Sequence, residues 1–555
     1  MNRTNRLSSK AGALFVPAGV VVFFTTLSLM AQSVPHLSTT QPGGMPGLPV
    51  MGNMVRLTNG MQVTWDGPSG YYQVYQKSNN LMAPWVALGK ATNYLRYAVI
   101  TKLYSNAFFR VSGPAPAYVG VQACAGCHDN IRTPELKTPH ARAFTNTTVV
   151  VTNRTVGYGL PSGFVSLAKT PQLANVQCEN CHGPAANHAA NPDDYTVIPQ
   201  VELAATVCGG CHTGPMQPIY EEWNSSGHAA VVPDALSVMS SSTNNISSCG
   251  RCHSGSVRLA LIGGQNPVAL TNDLNVAITC AVCHDPHSTN SNPAQVRNPL
   301  FSTNYFSLST TDMFTNVYAA NTNINLCGQC HNARGAAWTD TSRAPHTSPQ
   351  YNFLLGSIGE LPSGPTNFVP ATFNPGTHAG LPDPGTFYLT NQCVSCHMQK
   401  DAPPATTHTH TFAVTSHAVC LNCHSFDPGN SAPGVSNQIT TVLVLLNNWA
   451  ATVRGALQTN SGANGGALWE YTTPGGLKLV TDPLSGYATG WTLVNQGTNT
   501  GPNAVGQALI PDNIKKARFN LYLVVNDGSL GIHNWIFALN LLSAAENMIY
   551  QELYP

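Results

Sequence analysis

The chain has 555 residues, too many for one ordinary domain and enough for two or three. Only 9% are charged, with 25 Lys and Arg against 24 Asp and Glu, which leaves no basic footprint for a nucleic-acid partner. Hydrophobic residues reach 43%, excluding wholesale disorder, while 48 Gly and 40 Pro favour loops and turns over long helices.

At the N-terminus Arg3, Arg6 and Lys10 precede an apolar run over residues 11–30, and small polar residues begin at Ala31. This layout predicts a secretory signal peptide over 1–31 and an exported mature chain. A retained anchor is the rival, since about 20 apolar residues span a bilayer. Pro17 lies inside the run and no basic cluster follows it, which favours cleavage. No second run of about 18 uncharged apolar residues occurs, so no membrane span is expected after cleavage.

Residues 45–115 alternate apolar and polar positions at period two, as in 61–65 and 71–75, between turn signals at 66–70, 78–80 and 112–114. This predicts a small β-sandwich, fibronectin III-like, with Trp65, Tyr72, Trp85 and Phe109 in its core.

Over 118–430 every cysteine falls in a C-x-x-C-H unit. The eight units are Cys124-Cys127-His128, Cys178-Cys181-His182, Cys208-Cys211-His212, Cys249-Cys252-His253, Cys280-Cys283-His284, Cys327-Cys330-His331, Cys393-Cys396-His397 and Cys420-Cys423-His424. Export would make disulfides the default for sixteen cysteines, but a histidine after every second cysteine has no use in a disulfide or a four-thiolate zinc site. Two thiols at this spacing can each form a thioether to a haem vinyl group, and the adjacent histidine then reaches the iron. The sequence therefore predicts eight haem c groups. From Cys124 to His424 there are about 38 residues per group, too few to build a separate core round each, so the cofactors themselves are expected to form the core of a loop-rich domain with little regular structure.

Nineteen histidines less eight proximal ones leave eleven. The distal candidates are His140, His188, His228, His287, His346, His378, His408, His410, His417 and His533, with His408 and His410 counted as one choice. His36, just past the signal, is set aside; in an end-to-end assembly it would reach a neighbouring subunit's haem. His284 and His287 stand three residues apart and cannot cap opposite faces of one iron, so His287 is expected on a neighbouring haem. His188 follows His182 by six residues with the same logic. Met216 and Met398 are alternative axial ligands, made unnecessary by the supply of histidines.

Residues 436–555 contain no cysteine and should form helices packed on the haem region. A helix is predicted over 438–458 from Val442, Leu445, Leu446, Trp449, Val453 and Leu457 on one face. A Gly/Thr/Asn-rich stretch over 459–510 follows, then helices over 512–526 and 534–553 split at Asp527-Gly528-Ser529. His533 stands near the last helix start, either reaching a haem or serving as a polar cap.

YVGVQACAGCH with TPHARA, TPQLANVQCENCHGPAANH, and CGGCH with PIYEEWNSSGHA resemble the multihaem cytochrome c family that includes the tetrahaem cytochrome of ammonia oxidisers. ARFNLYLVVNDGSLGIHN is similar to the C-terminal helices of octahaem hydroxylamine oxidoreductase-like cytochromes. The resemblance covers about 118–290 and 511–550. It implies a distal-ligand role for His228 and, through the similar TPHA, for His140. Two departures stand out: residues 149–159 lack the further haem motif that family members carry before TVGYG, and Trp535 replaces the proline after HN.

An electron carrier in the periplasm, at the outer surface or outside the cell is the expected function. Its partners would be redox proteins or terminal electron acceptors, and its low charge suits homo-oligomer or filament assembly. The alternative is an oxidoreductase acting on hydroxylamine or a nitrogen or sulfur oxyanion at one open haem, with Arg334, Arg343 and His346 as the nearest supporting cluster.

Overall fold

The computed structural model describes residues 50–555 apart from short interruptions and three longer ones, 145–154, 298–325 and 363–391. The expected signal peptide, His36, His378 and Cys423 lie outside the described residues. The chain divides into two compact units, Met1–Glu221 with Thr279–Val296, and Glu222–Ile278 with Arg297–Pro555.

In the first unit, β1 (Val50–Leu57), β2 (Gly60–Asp66) and β5 (Tyr97–Ile100) form one antiparallel sheet in the order β1-β2-β5. A second antiparallel sheet has the order β4-β3-β6, from β3 (Tyr71–Ser78), β4 (Val86–Thr92) and β6 (Ala107–Ser112). Because side chains alternate across each strand, Val63 and Trp65 of β2 turn inward to meet Tyr72 and Val74 of β3 and Phe109 and Val111 of β6. The Trp65 and Tyr72 rings lie 5.7 Å apart, joining the two sheets face to face. Trp85 departs from expectation. It is half-buried outside this core, with the Lys77 ammonium 5.8 Å from its ring centre.

The cysteine-bearing region is built from short helical segments. Among them are α1 (Ala125–Glu135), α2 (Cys178–His182), α3 (Ala205–Gly209), α4 (Thr243–His253), α5 (Cys280–Cys283) and α6 (Gln392–His397).

The second unit ends in a helical core. α7 (Ala432–Thr452) starts and stops about six residues before the predicted span, and its buried stripe is Val435, Ile439, Val442, Leu443, Leu446 and Trp449. α8 (Asp512–Asp527) ends at Gly528, whose φ of 75° supplies the left-handed cap that a side chain would disfavour. α9 (Trp535–Leu553) is capped by Asn534, whose side chain accepts from the Phe537 N–H at 3.2 Å. The Gly/Thr/Asn-rich stretch contains a hairpin, β7 (Gly476–Thr481) with β8 (Ala488–Val494). Leu477 and Leu479 face the helical core, and the Trp491 indole donates to Ser436 Oγ of α7 at 3.1 Å. Asp482 closes the turn, its Oδ1 accepting from the N–H groups of Leu484 and Ser485.

A wholly buried polar cluster sits within this core. Arg518 donates through Nη1 to the carbonyls of Trp469 and Glu470 and to Gln507 Oε1, and its guanidinium stacks 4.2 Å from the Tyr471 ring centre. The Glu470 carboxylate accepts from the Tyr522 hydroxyl at 2.8 Å and the Tyr471 N–H at 3.0 Å. Burial outweighs these donors and pushes the Glu470 pKa from 4.5 up to about 7. The native state therefore holds a proton that the unfolded chain releases, and stability falls as pH rises from 4.5 to about 7. The contribution is about 3 kcal/mol at 1.36 kcal/mol per pKa unit. Thermal melts of the loaded protein between pH 4.5 and 7 should show a declining midpoint in the wild type and a flatter profile in Glu470→Gln.

Candidate metal centres

The C-x-x-C-H units adopt tight turns in which the histidine N–H donates back to the first cysteine carbonyl. This bond is 2.9 Å in the third unit (His212 to Cys208), 2.8 Å in the fifth (His284 to Cys280) and 2.9 Å in the sixth (His331 to Cys327). Residues three apart on such a turn share a face, about 5–6 Å between Cβ atoms, so both sulfurs point the same way with the histidine beside them. None of the fifteen described cysteines forms a disulfide.

Among the described residues, six of the eight motif histidines face a second imidazole. Ring centres are 6.2 Å apart for His128 and His188, 5.9 Å for His182 and His287, and 6.1 Å for His212 and His140 in the first unit. In the second unit they are 6.0 Å for His253 and His346, 6.2 Å for His331 and His228, and 6.2 Å for His397 and His533. A metal–imidazole bond of about 2 Å, plus roughly 1.1 Å from ring nitrogen to ring centre, predicts ~6 Å for two imidazoles on one ion. The spacing, with two thiols beside each first histidine, fits an iron porphyrin seated between the rings.

Several of these imidazoles are aimed from behind, by a hydrogen bond on the nitrogen that leaves Nε2 for a metal. His284 Nδ1 bonds to the Ala294 carbonyl at 2.7 Å, His346 Nδ1 to Ser348 Oγ at 3.0 Å and His397 Nδ1 to the Phe412 carbonyl at 2.9 Å. His408 and His410 are held alike by the carbonyls of Met398 and His408. His417 and His533 instead meet carboxylates, Asp427 at 2.8 Å and Asp527 at 2.7 Å. Burial, with His331 beside it, pulls the His228 pKa down to about 4. Burial and then Arg334 do the same for His346, again to about 4. Both rings are thus neutral at ordinary pH, with a lone pair free for a metal. For His533 burial acts downward, but Asp527 outweighs it and raises the pKa.

The motifs also touch one another. In the first unit the thiols of Cys124 and Cys178 lie close enough to influence each other, as do those of Cys208 and Cys280. Burial and then the nearby Cys211 push the Cys181 thiol up to about 11. Helix α3 contacts both α2 and α5. The first motif is tied to the second by Glu179, which lies between the second motif's cysteines. Its carboxylate accepts from the N–H groups of Val119, Gly120 and Ala185, the last two at 2.8 Å. Gln177 adds a bond from the Val121 N–H at 2.7 Å. In the second unit Cys252 and Cys330 lie side by side, and each sulfur meets the backbone of the other's motif, at Gln329 O (3.8 Å) and Arg251 O (3.9 Å). Cys327 lies beside Cys393, and Cys420 acts on Cys396 through space. The contacts run through motifs one, two, three and five in one unit and four, six, seven and eight in the other.

Sequence reasoning passed over Glu179, Gln177 and Asp527. An acidic residue inside C-x-x-C-H was the available signal for Glu179. Arg334 and Arg343 both act on His346, so that expected cluster does gather. Its histidine, however, lies opposite His253.

The sequence model of the family "Cytochrome c554 and c-prime" matches residues 137–183, which hold His140 and the second motif. The C-type polyheme cytochrome OmcB of Geobacter sulfurreducens, in strains DL-1 / KN400 and PCA, is 22% identical over 433 residues, covering 68% of this chain. The chain spans about half, 51%, of the length of these curated relatives. Among solved structures, that of the outer cell wall cytochrome OcwA aligns over 78% of this chain and 99% of its own, at 18% identity and a TM-score of 0.43. The undecaheme cytochrome from the S-layer of Carboxydothermus ferrireducens aligns over 90% of this chain and 62% of its own, at 18% identity and a TM-score of 0.38. With repeated C-x-x-C-H turns, imidazoles opposed across the width of one metal and this partial match, the chain is similar to multihaem cytochromes of the c type.

Proposed function

We propose that the chain binds eight haem c groups and carries electrons along them, in two rows that follow the cysteine contacts within each unit. The six opposed histidine pairs carry this reading. An iron capped by two imidazoles has no site for substrate and exchanges only electrons. His128, His182, His212, His253, His331 and His397 are the proximal ligands of six haems, opposed by His188, His287, His140, His346, His228 and His533 in that order. His284 and His424 are proximal to the other two, whose distal ligands come from His378, His408, His410 and His417. The position of His346 opposite His253 counts against an open iron beside Arg334 and Arg343.

Export is supported by the N-terminal signal layout and by the wall and S-layer settings named for two similar proteins. Among the described residues no helix is long and apolar enough to cross a membrane. We place the protein at the cell surface, passing electrons between redox proteins and an external acceptor. The strand orders β1-β2-β5 and β4-β3-β6 support a fibronectin III-like module that positions the haem region without doing chemistry.

His228→Ala tests the ligand assignment. Electron paramagnetic resonance of the oxidised wild type should show low-spin haems, and the variant should gain one high-spin haem in eight. A wild-type high-spin fraction that shifts with nitrite or hydroxylamine would favour the oxidoreductase instead.

A further inference from the structure

Two distal-candidate histidines are backed by carboxylates, in very different surroundings. The His417–Asp427 pair is at the surface, with both side chains over 40% exposed. The Asp527 side chain is 0% exposed, closing α8 where the helix carbonyls point outward. Its Oδ1 accepts from His533 Nδ1 at 2.7 Å, and its Oδ2 from the N–H and hydroxyl of Ser529. Across the same site His397 has only the neutral Phe412 carbonyl behind it. The turn between α8 and α9 is tied to residues 345–350: Asn526 Nδ2 donates to the Pro345 carbonyl at 2.6 Å, and Gln350 Nε2 to the carbonyls of Asn526 and Asp527.

A carboxylate on an imidazole N–H pulls the proton towards itself and leaves the metal-facing nitrogen richer in electrons. That nitrogen stabilises ferric over ferrous iron, and burial removes the water that would screen the charge. We infer that Asp527 is a tuning residue, which through His533 holds the seventh haem at a lower potential than a neutral acceptor in its place would. The inference rests on His533 being a ligand of that haem. Ser529 moderates it, because each bond donated to the carboxylate weakens its pull on His533.

The test uses the haem-loaded full chain, film voltammetry at one fixed pH and resonance spectra of the oxidised state. Asp527→Asn keeps the shape and removes the charge. It should shift the ferric–ferrous balance of one haem ten- to hundredfold towards ferrous, about 60–120 mV upward at 59 mV per tenfold, with every haem still low-spin. Ser529→Ala should move the same haem the opposite way, and it keeps the inference testable if Asp527→Asn folds poorly. Asp427→Asn, in water, should move its haem less than Asp527→Asn does. Potentials unmoved in Asp527→Asn and Ser529→Ala, with spectra still low-spin, would overturn the tuning role and leave ligation standing. No new high-spin haem in His533→Ala would instead remove the ligand assignment on which it depends.

Discussion

Cys178→Ala with Cys181→Ala should yield a protein one haem mass lighter, with the haem absorbance of the denatured chain reduced to seven-eighths of wild type. In the proposed row the second motif sits between the first, beside Cys124, and the third, beside Cys211. Its loss should strand the first haem from the rest, so that film voltammetry still counts it but electrons leave it far more slowly. It should also leave His287, now facing His182 at 5.9 Å, without a haem. The same pair of substitutions at the eighth motif, the end of the other row, should remove one haem without splitting that row. Equal transit in both variants would refute the row order.

Arg518→Ala should be the most damaging single change in the C-terminal core. The guanidinium is fully buried, serves two backbone carbonyls and Gln507, and covers the Tyr471 ring. Its removal takes a donor from each of those acceptors, leaving Glu470 O with the Gln507 amide alone, takes a positive charge from beside Glu470 and opens a cavity. Breaking a buried charged network from one side costs about 3–5 kcal/mol, or a fall of roughly 10 °C in melting midpoint for a unit of this size. Differential scanning calorimetry of the loaded protein measures it. Arg518→Met, which refills the space without the charge, should recover part of the loss.

The turns that carry the cysteine motifs were legible because they are local. Cysteines three apart on a turn and a histidine one step further are a property of five consecutive residues, and no tertiary fact can hide them. The helices α8 and α9 were legible for the same reason: Gly528 and Asn534 mark their ends in the sequence itself. The distal side is tertiary. The closeness of His284 and His287 excludes a shared iron but does not say which motif His287 faces, and nothing near Asp527 announces a histidine six residues on as its partner. The hairpin at 476–494 was masked by its composition. Only Leu477 and Leu479 are needed to bury one face, so alternation there is too short to rise above the glycines and threonines around it. Trp85 shows the converse. Its size marks it for a core, but its position next to β4 leaves it at the edge, where a lysine covers it.

The interleaving of the two units bears on how the protein is made. Residues leave the ribosome in numerical order, yet the first unit is complete only when the stretch from Thr279 to Val296 arrives. That stretch brings Cys280 to Cys208 and His287 to His182, and the whole fourth motif, which belongs elsewhere, emerges before it. If each motif takes up a haem as proposed, a chain arrested before residue 279 would hold its second haem without the imidazole of His287 and its third motif without the neighbouring Cys280.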